Sequence, residues 1–350
     1  MRIGEAESIR QVVEGAMASS QIPGIVLVAA RGGQPAEYMS VGVDAGGNAL
    51  TRDSLFPVAS VSKLAVALAV LRLVDRGALG LDDLLVHFLG DAAAAGPGVT
   101  VRTLLCHTSG LPGDLPEGLG LPPWPALAHA CVETAPAALP GARLEYSNVG
   151  YGILAVLVER ITGQRFGEAL HDLVLDPLGI EGYLDAEPPR APVGLTGTRG
   201  THLGTDLEAY NGTRWRAAGL PWAGLITTAE GALALVNAFA GVPDNFLDSS
   251  TRTEATRNQA GDLGCDLFGL IPWRTCHWGL GPELRDAKQP HWAPSTASPG
   301  SFGHAGQSGC VAWYDPAKDV AWTILGTRTA DSGWLLRRCP AIGAAILAWE

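Results

Sequence analysis

The sequence predicts an α+β fold: an antiparallel sheet assembled from both chain ends and flanked by helices, beside a mostly helical region. Three observations predict it. Strand-like runs come in hairpin pairs at each end, residues 24–30 (GIVLVAA) with 37–43, and residues 309–314 (GCVAWY) with 320–326. Consecutive hairpins make a sheet antiparallel. Helical text stands at both termini, where it can cover one face of that sheet, and apolar helical stretches fill much of the middle. With 350 residues the chain has room for one large domain or two intimately packed ones. We expect a single catalytic domain over 1–350, with a sheet region of about 1–58 and 296–350 and a helical, loop-rich region of about 59–295.

The elements follow in order. Ile9, Val12, Val13, Ala16 and Met17 recur at helical spacing and read as an amphipathic surface helix. Glu5, Glu7 and Glu14 interrupt the apolar region that a secretory signal requires. No apolar run reaches the length of a membrane span. The expectation is therefore a cytoplasmic protein with no membrane partner. Gly32, Gly33 and Pro35 mark the first hairpin turn. Beyond Ser60, the positions Val61, Leu64 to Leu71, Leu73 and Val74 make a helix apolar on all sides, which must be buried. Residues 151–161 form another apolar helix, closed by Gly163, and residues 166–174 a third, ended before Asp176-Pro177. Thr227-Thr228-Ala229-Glu230 fits a capping box ahead of a helix over 232–239. Residues 187–216 and 241–300, rich in Gly, Pro, Trp and Thr, read as long loops lining a cleft. Trp222, Trp273, Trp278 and Trp292 fall in such loop-like text and suit the wall of an acyl pocket. A turn at 315–319 and a helix over 333–349 complete the chain.

Composition narrows the function. Hydrophobic residues are 47% and charged residues 17%, which gives a large core and argues against disorder. The balance of 24 basic and 35 acidic side chains, net −11, argues against a nucleic-acid partner, since phosphate binding needs a basic face. The six cysteines contain no C-x-x-C pair and read as free, buried thiols. Cys276-His277 lacks the further ligands that zinc needs. No metal and no cofactor is expected.

The chemistry begins at Ser60-Val61-Ser62-Lys63. Residues three apart share a helix face, so the Lys63 amine can point at the Ser60 hydroxyl. Burial in an apolar helix disfavours the ammonium, and Lys63 should hold its proton weakly. A serine beside such an amine is an activated nucleophile. Taken alone, the pair also fits a helix cap with a snorkelling lysine. Two further motifs, Tyr146-Ser147-Asn148 and His304-Ala305-Gly306, favour the catalytic reading.

In this order the three motifs resemble the serine β-lactamase and penicillin-binding-protein superfamily, and the Tyr-x-Asn variant is most similar to class C β-lactamases and family VIII carboxylesterases. Flanking text carries the same resemblance: Phe56 to Lys63, Leu104-Leu105-Cys106-His107-Thr108-Ser109-Gly110-Leu111, Pro140-Gly141, Asp176-Pro177-Leu178-Gly179-Ile180 and Gly224 to Thr228. The resemblance implies a β-lactamase/transpeptidase-like fold and an acyl-enzyme formed at Ser60. It implies Lys63 and Tyr146 as the groups that move the serine proton, with either able to lead. A phenol titrates near ~10 in water, and a neighbouring lysine cation would lower that value. Asn148 would tether Lys63 or a substrate carbonyl, and it also suits the start of the helix that follows. The backbone amides of Ser60 and Gln307, beside Gly306, are expected to form an oxyanion hole.

His304 departs from the lactamase pattern, which usually has lysine there. Histidine, near ~6.5 unperturbed, is mostly neutral at pH 7. Recognition of a substrate carboxylate weakens, and esters without one become the better fit. His107 and Ser109 read as structural, with Gly110 as a left-handed helix terminator. No G-x-S-x-G occurs, against an α/β-hydrolase elbow. The sequence therefore predicts a serine hydrolase of small ester or amide substrates, most simply a carboxylesterase. The alternatives on the same scaffold are a β-lactamase, a D-Ala-D-Ala peptidase, an amide hydrolase or an acyltransferase. A binding protein that has lost turnover is the non-enzymatic alternative.

Overall fold

The computed structural model describes residues 3–116, 118–267 and 271–349. Six strands form one antiparallel sheet. In spatial order they are Glu37–Gly42, Gly24–Arg31, Val320–Gly326, Cys310–Asp315, Phe302–Gly306 and Glu283–Leu284. The N-terminal hairpin joins the C-terminal strands through Gly24–Arg31, whose Ile25 faces Gly326 and whose Arg31 faces Val320. The sixth strand, Glu283–Leu284, comes from the stretch that the sequence reads as loop. Two residues are too few to show a period, so the pattern carried no signal there.

Side chains alternate across the sheet because successive residues of a strand face opposite ways. Ile25, Leu27 and Ala29 pack in one cluster with Ile9 and Val13 of the Glu7–Ser20 helix and Ile342 and Ile346 of the Trp334–Ala348 helix. Val26 and Val28 face the opposite cluster, with Leu64, Val66, Leu233 and Val236. The terminal helices thus cover one face. The helices Ser62–Asp75 and Ala229–Ala240 fill the other. Every residue of the former from Ser62 to Leu71 is buried, as an apolar periphery requires.

Some local readings change. The helix after Thr228 is capped by that threonine, whose Oγ accepts from Gly231 N at 3.0 Å. Glu230 is therefore not a reciprocal capping residue. It pairs with Arg52 at 2.5 Å instead. Gly110 is left-handed as expected, at φ 79°, but the helix Val101–Leu105 ends ahead of it, at Cys106, and His107 already takes the left-handed conformation at φ 61°. The residues 166–174 divide into an α-helix, Phe166–Leu170, and a π turn, His171–Leu175. All six cysteines are free and buried. Among the described residues, no helix is long and apolar enough to cross a membrane.

Candidate active site

Ser60 lies in the short 3-10 turn Ala59–Val61 that leads into the Ser62–Asp75 helix. Ala59 is held at φ 45°, a region that side-chain-bearing residues rarely adopt. Strained backbone of this kind persists only where surrounding packing holds it. Here the turn is pressed against the Phe302–Gly306 strand. A Cβ built on Gly306 would meet Val58 O at 2.4 Å and Cys310 Sγ at 2.6 Å. Glycine is what lets that strand reach the turn.

Lys63 follows one helical turn later and is 0% exposed. Its Nζ donates to Asn148 Oδ1 at 2.7 Å, to the Trp222 carbonyl at 3.0 Å and to Ser60 Oγ at 3.4 Å. Burial pulls the amine down to about 7, and the negative charge of Asp114 only partly offsets this. The three partners have a chemical consequence. An ammonium has a hydrogen for each. A neutral amine keeps two hydrogens for the two better acceptors, Asn148 and Trp222, and its lone pair then faces Ser60.

Asn148 opens the Asn148–Thr162 helix, and Ser147 is the residue that caps it, accepting from Gly150 N at 2.9 Å. The Asn148 side chain is thereby free to bridge. It accepts from Lys63 and donates through Nδ2 to Asp114 Oδ1 at 2.6 Å.

The Tyr146 phenol lies within hydrogen-bonding reach of the Ser60 side chain. Its ring centre is 4.7 Å from Lys63 Nζ. The expectation that lysine would lower the phenol is overturned. Burial dominates and pushes Tyr146 well above its ordinary value, with the Ser60 hydrogen bond opposing. Tyr146 is a neutral phenol at physiological pH. Its ring packs, tilted, against His107 at 4.6 Å between centres. His107 Nδ1 in turn accepts from Ser147 N at 3.0 Å. The histidine read from sequence as structural is the support on which the Tyr-Ser-Asn segment is set.

His304 is 3% exposed, and its Nδ1 faces the Ala305 carbonyl at 2.7 Å. Burial, reinforced by Lys63, lowers it to about 4, so the ring is neutral. Gln307 follows the strand, and its Nε2 donates to Asp331 Oδ1 at 3.0 Å. Among the described residues, neither the Ser60 nor the Gln307 amide donates to a backbone carbonyl outside its own element. Ser60, Tyr146, His304, Gly306 and Gln307 all line one cavity of about 440 Å³. Trp278 and Trp292 line it as well, and Leu267 and Ile271 add apolar wall from the expected loop region. Trp222 contributes its carbonyl to Lys63. Trp273 stands behind, against Trp292 and Lys288.

Sequence reasoning did not find Asp114, the Trp222 carbonyl, or Glu283 with its partners Lys288 and His291. Each meets the site across a long stretch of chain, and none sits in a motif. No group of residues able to hold a metal ion occurs among the described residues.

Comparison with known proteins places this arrangement. The esterase EstB of Burkholderia gladioli is 35% identical over 212 residues, which is 54% of this chain and 54% of that protein. Penicillin-binding protein 4 of Amycolatopsis lactamdurans is 35% identical over 168 residues, 46% of this chain and 44% of that protein. The matched stretch thus spans about half the length of these curated relatives. Among solved structures, a β-lactamase from Mycobacterium bovis superposes with a TM-score of 0.66 at 29% identity, covering 96% of this chain and 98% of its own. The D-amino acid amidase of Ochrobactrum anthropi SV3, complexed with D-phenylalanine, shares the fold with a TM-score of 0.75 at 18% identity, over 97% of this chain and 99% of its own. The Beta-lactamase family model matches residues 9–335, which takes in the Ser60 turn, the Tyr-Ser-Asn segment and most of the cavity lining, and the chain belongs to that family.

Proposed function

We propose that the protein is a serine hydrolase that forms an acyl-enzyme at Ser60, and that its substrates are small carboxylic esters. The observation that carries this reading is the buried Lys63 amine, held near neutrality at 3.4 Å from the Ser60 oxygen. A neutral amine in that position takes the serine proton as Ser60 Oγ attacks the carbonyl carbon. Asn148 and the Trp222 carbonyl fix its other two directions, so the lone pair needs no reorientation. Tyr146, a neutral phenol in reach of Ser60, accepts and passes on protons rather than starting as phenolate. It suits delivery of a proton to the departing alkoxide. The free amides of Ser60 and Gln307 suit the developing oxyanion, where one such donor contributes ~3 kcal/mol. As Tyr146 protonates the alkoxide, Lys63 passes the serine proton to Tyr146 and is neutral again; water then attacks the acyl carbon, Lys63 takes its proton, and that proton returns to Ser60 Oγ as the acid leaves.

The choice of ester over β-lactam rests on His304. A neutral ring cannot supply the permanent cation that holds a substrate carboxylate. The relative EstB is named an esterase, which supports the same choice. Short p-nitrophenyl esters and nitrocefin, assayed together, test it. Turnover of the ester with little or none of nitrocefin is expected. The reverse order would make the protein a β-lactamase. In the Ser60→Ala variant ester turnover should fall by at least about 10³-fold, and the acyl adduct should vanish from the intact mass. Undiminished turnover in that variant would exclude Ser60 as nucleophile.

A further inference from the structure

The cavity wall includes Glu283, part of a polar cluster that the acyl-transfer chemistry leaves unused. Glu283, on the edge strand, is 0% exposed. Its Oε1 accepts from Lys288 Nζ at 2.8 Å and lies 3.1 Å from His291 Nε2. Lys288 is itself 2% exposed and also donates to the His277 carbonyl at 2.9 Å. Burial would raise the Glu283 carboxyl, but Lys288 and His291 hold it down to about 2, so it is ionised. Both cationic and polar partners sit on one oxygen. The other, Oε2, is buried and has no hydrogen-bond partner among the described residues.

His304 stands beside it. Glu283 pairs with Gly303, so strand alternation alone would turn the neighbouring His304 to the other face; at this sheet edge both side chains nonetheless reach the one cavity, and the Glu283 charge acts on the His304 ring. Because His304 Nδ1 faces the Ala305 carbonyl, that nitrogen carries the ring hydrogen and Nε2 is left as an acceptor. Nε2 too is buried and without a partner among the described residues. Both side chains line the cavity that contains Ser60. Two buried acceptors, one of them the free oxygen of a carboxylate, are costly unless a donor meets them. One carbonyl or carboxylate cannot meet either. A hydroxyl brings a single hydrogen. A primary amine or ammonium brings enough for both, and the free carboxylate oxygen favours a positive one.

We propose that Glu283 and His304 form a subsite that binds a primary amino group of the substrate while its carbonyl is presented to Ser60. This rests on the serine-hydrolase reading and narrows its substrate class to amine-bearing acyl compounds. Lys288 and His291 act as positioning residues, because they hold Glu283 ionised and occupy its Oε1, which leaves Oε2 for a ligand.

Matched arylboronic acids test the subsite. Boron forms a bond to Ser60 Oγ and becomes tetrahedral, while the serine proton passes to Lys63, so binding reports on the acyl centre without turnover. The meta and para isomers of aminomethylphenylboronic acid would be compared with the matching ethylphenylboronic acids as inhibitors of p-nitrophenyl acetate hydrolysis at pH 8. At least one amine isomer should inhibit about tenfold more tightly than its ethyl counterpart, as expected for one charge-assisted hydrogen bond. The preference should fall to about one in His304→Leu, and in a Glu283→Gln, Lys288→Met double variant that leaves no buried cation alone. Melting temperatures of both variants check that they fold, and the His304 variant carries the test if the double one does not. Equal inhibition of the wild type by both classes overturns the subsite while leaving the nucleophile intact. A preference that survives both variants also overturns it and points to Asp331, the other acidic residue lining the cavity. If neither class inhibits and no boron adduct appears in the mass of the protein, the serine-hydrolase reading falls, and the subsite with it.

Discussion

Asn148 joins Lys63 to Asp114: its Oδ1 accepts from the buried amine at 2.7 Å and its Nδ2 donates to the carboxylate at 2.6 Å. One amide thus connects an interior base to an exposed acid. Asp114 acts on Lys63 through charge, raising its proton affinity against the larger effect of burial. The Asp114→Asn variant keeps an oxygen for Asn148 Nδ2 and removes the charge. It should move the acidic limb of the kcat/KM profile to lower pH with little loss of plateau activity. An unmoved limb would show that Asp114 only positions Asn148.

The wild-type profile should itself reflect Lys63. The amine accepts a proton only when neutral, and its folded value is about 7. Activity toward p-nitrophenyl acetate should therefore rise with pH and reach half its plateau near pH 7. His304, lowered to about 4, and Tyr146, raised by burial, do not titrate in that window. A flat profile between pH 5.5 and 8.5 would exclude Lys63 as the base.

Tyr146→Phe removes one hydroxyl and keeps the ring on His107 and Trp278. Loss of a positioned proton-transfer group lowers the rate by ~10²–10⁴-fold. We expect kcat to fall in that range while the melting temperature stays close to wild type. A small effect on kcat would leave Lys63 moving every proton directly.

Gly306→Ala tests the contact between strand and nucleophile turn. The added Cβ meets Val58 O at 2.4 Å, and backbone cannot yield as a side chain would. Overpacking of this kind costs ~1–3 kcal/mol, read as a lower melting temperature. Activity should fall further than stability does, because the displaced backbone carries the Ser60 and Gln307 amides. Equal activity per folded molecule would separate Gly306 from the oxyanion hole.

Much of this was legible in the sequence because its cause is local. The apolar periphery of the Ser62–Asp75 helix dictated burial, and burial dictated a weakly held proton on Lys63. Hairpin turns with flanking strand text gave the four long strands at nearly their observed bounds. Errors arose where one residue's effect outweighed a pattern. His107 took a left-handed backbone at the helix end, three residues ahead of the left-handed Gly110, and Thr228 capped its helix without Glu230. The Tyr146 phenol moved the wrong way because the sequence shows a lysine nearby but not how much water is missing.

What the sequence by itself determined is the closeness of the proposed reactive pair: Ser60 and Lys63 are three residues apart, and helical geometry alone brings them together. Folding decided the rest of the site. Tyr146, Asn148, the Trp222 carbonyl and His304 reach that pair only when the sheet closes between the two chain ends and the helical layer packs on it. The Glu283, Lys288 and His291 cluster belongs wholly to that level. Its hydrogen bonds form between a two-residue edge strand and an irregular loop. Neither has a periodicity to read, and only the loss of water on packing makes an ion pair there necessary.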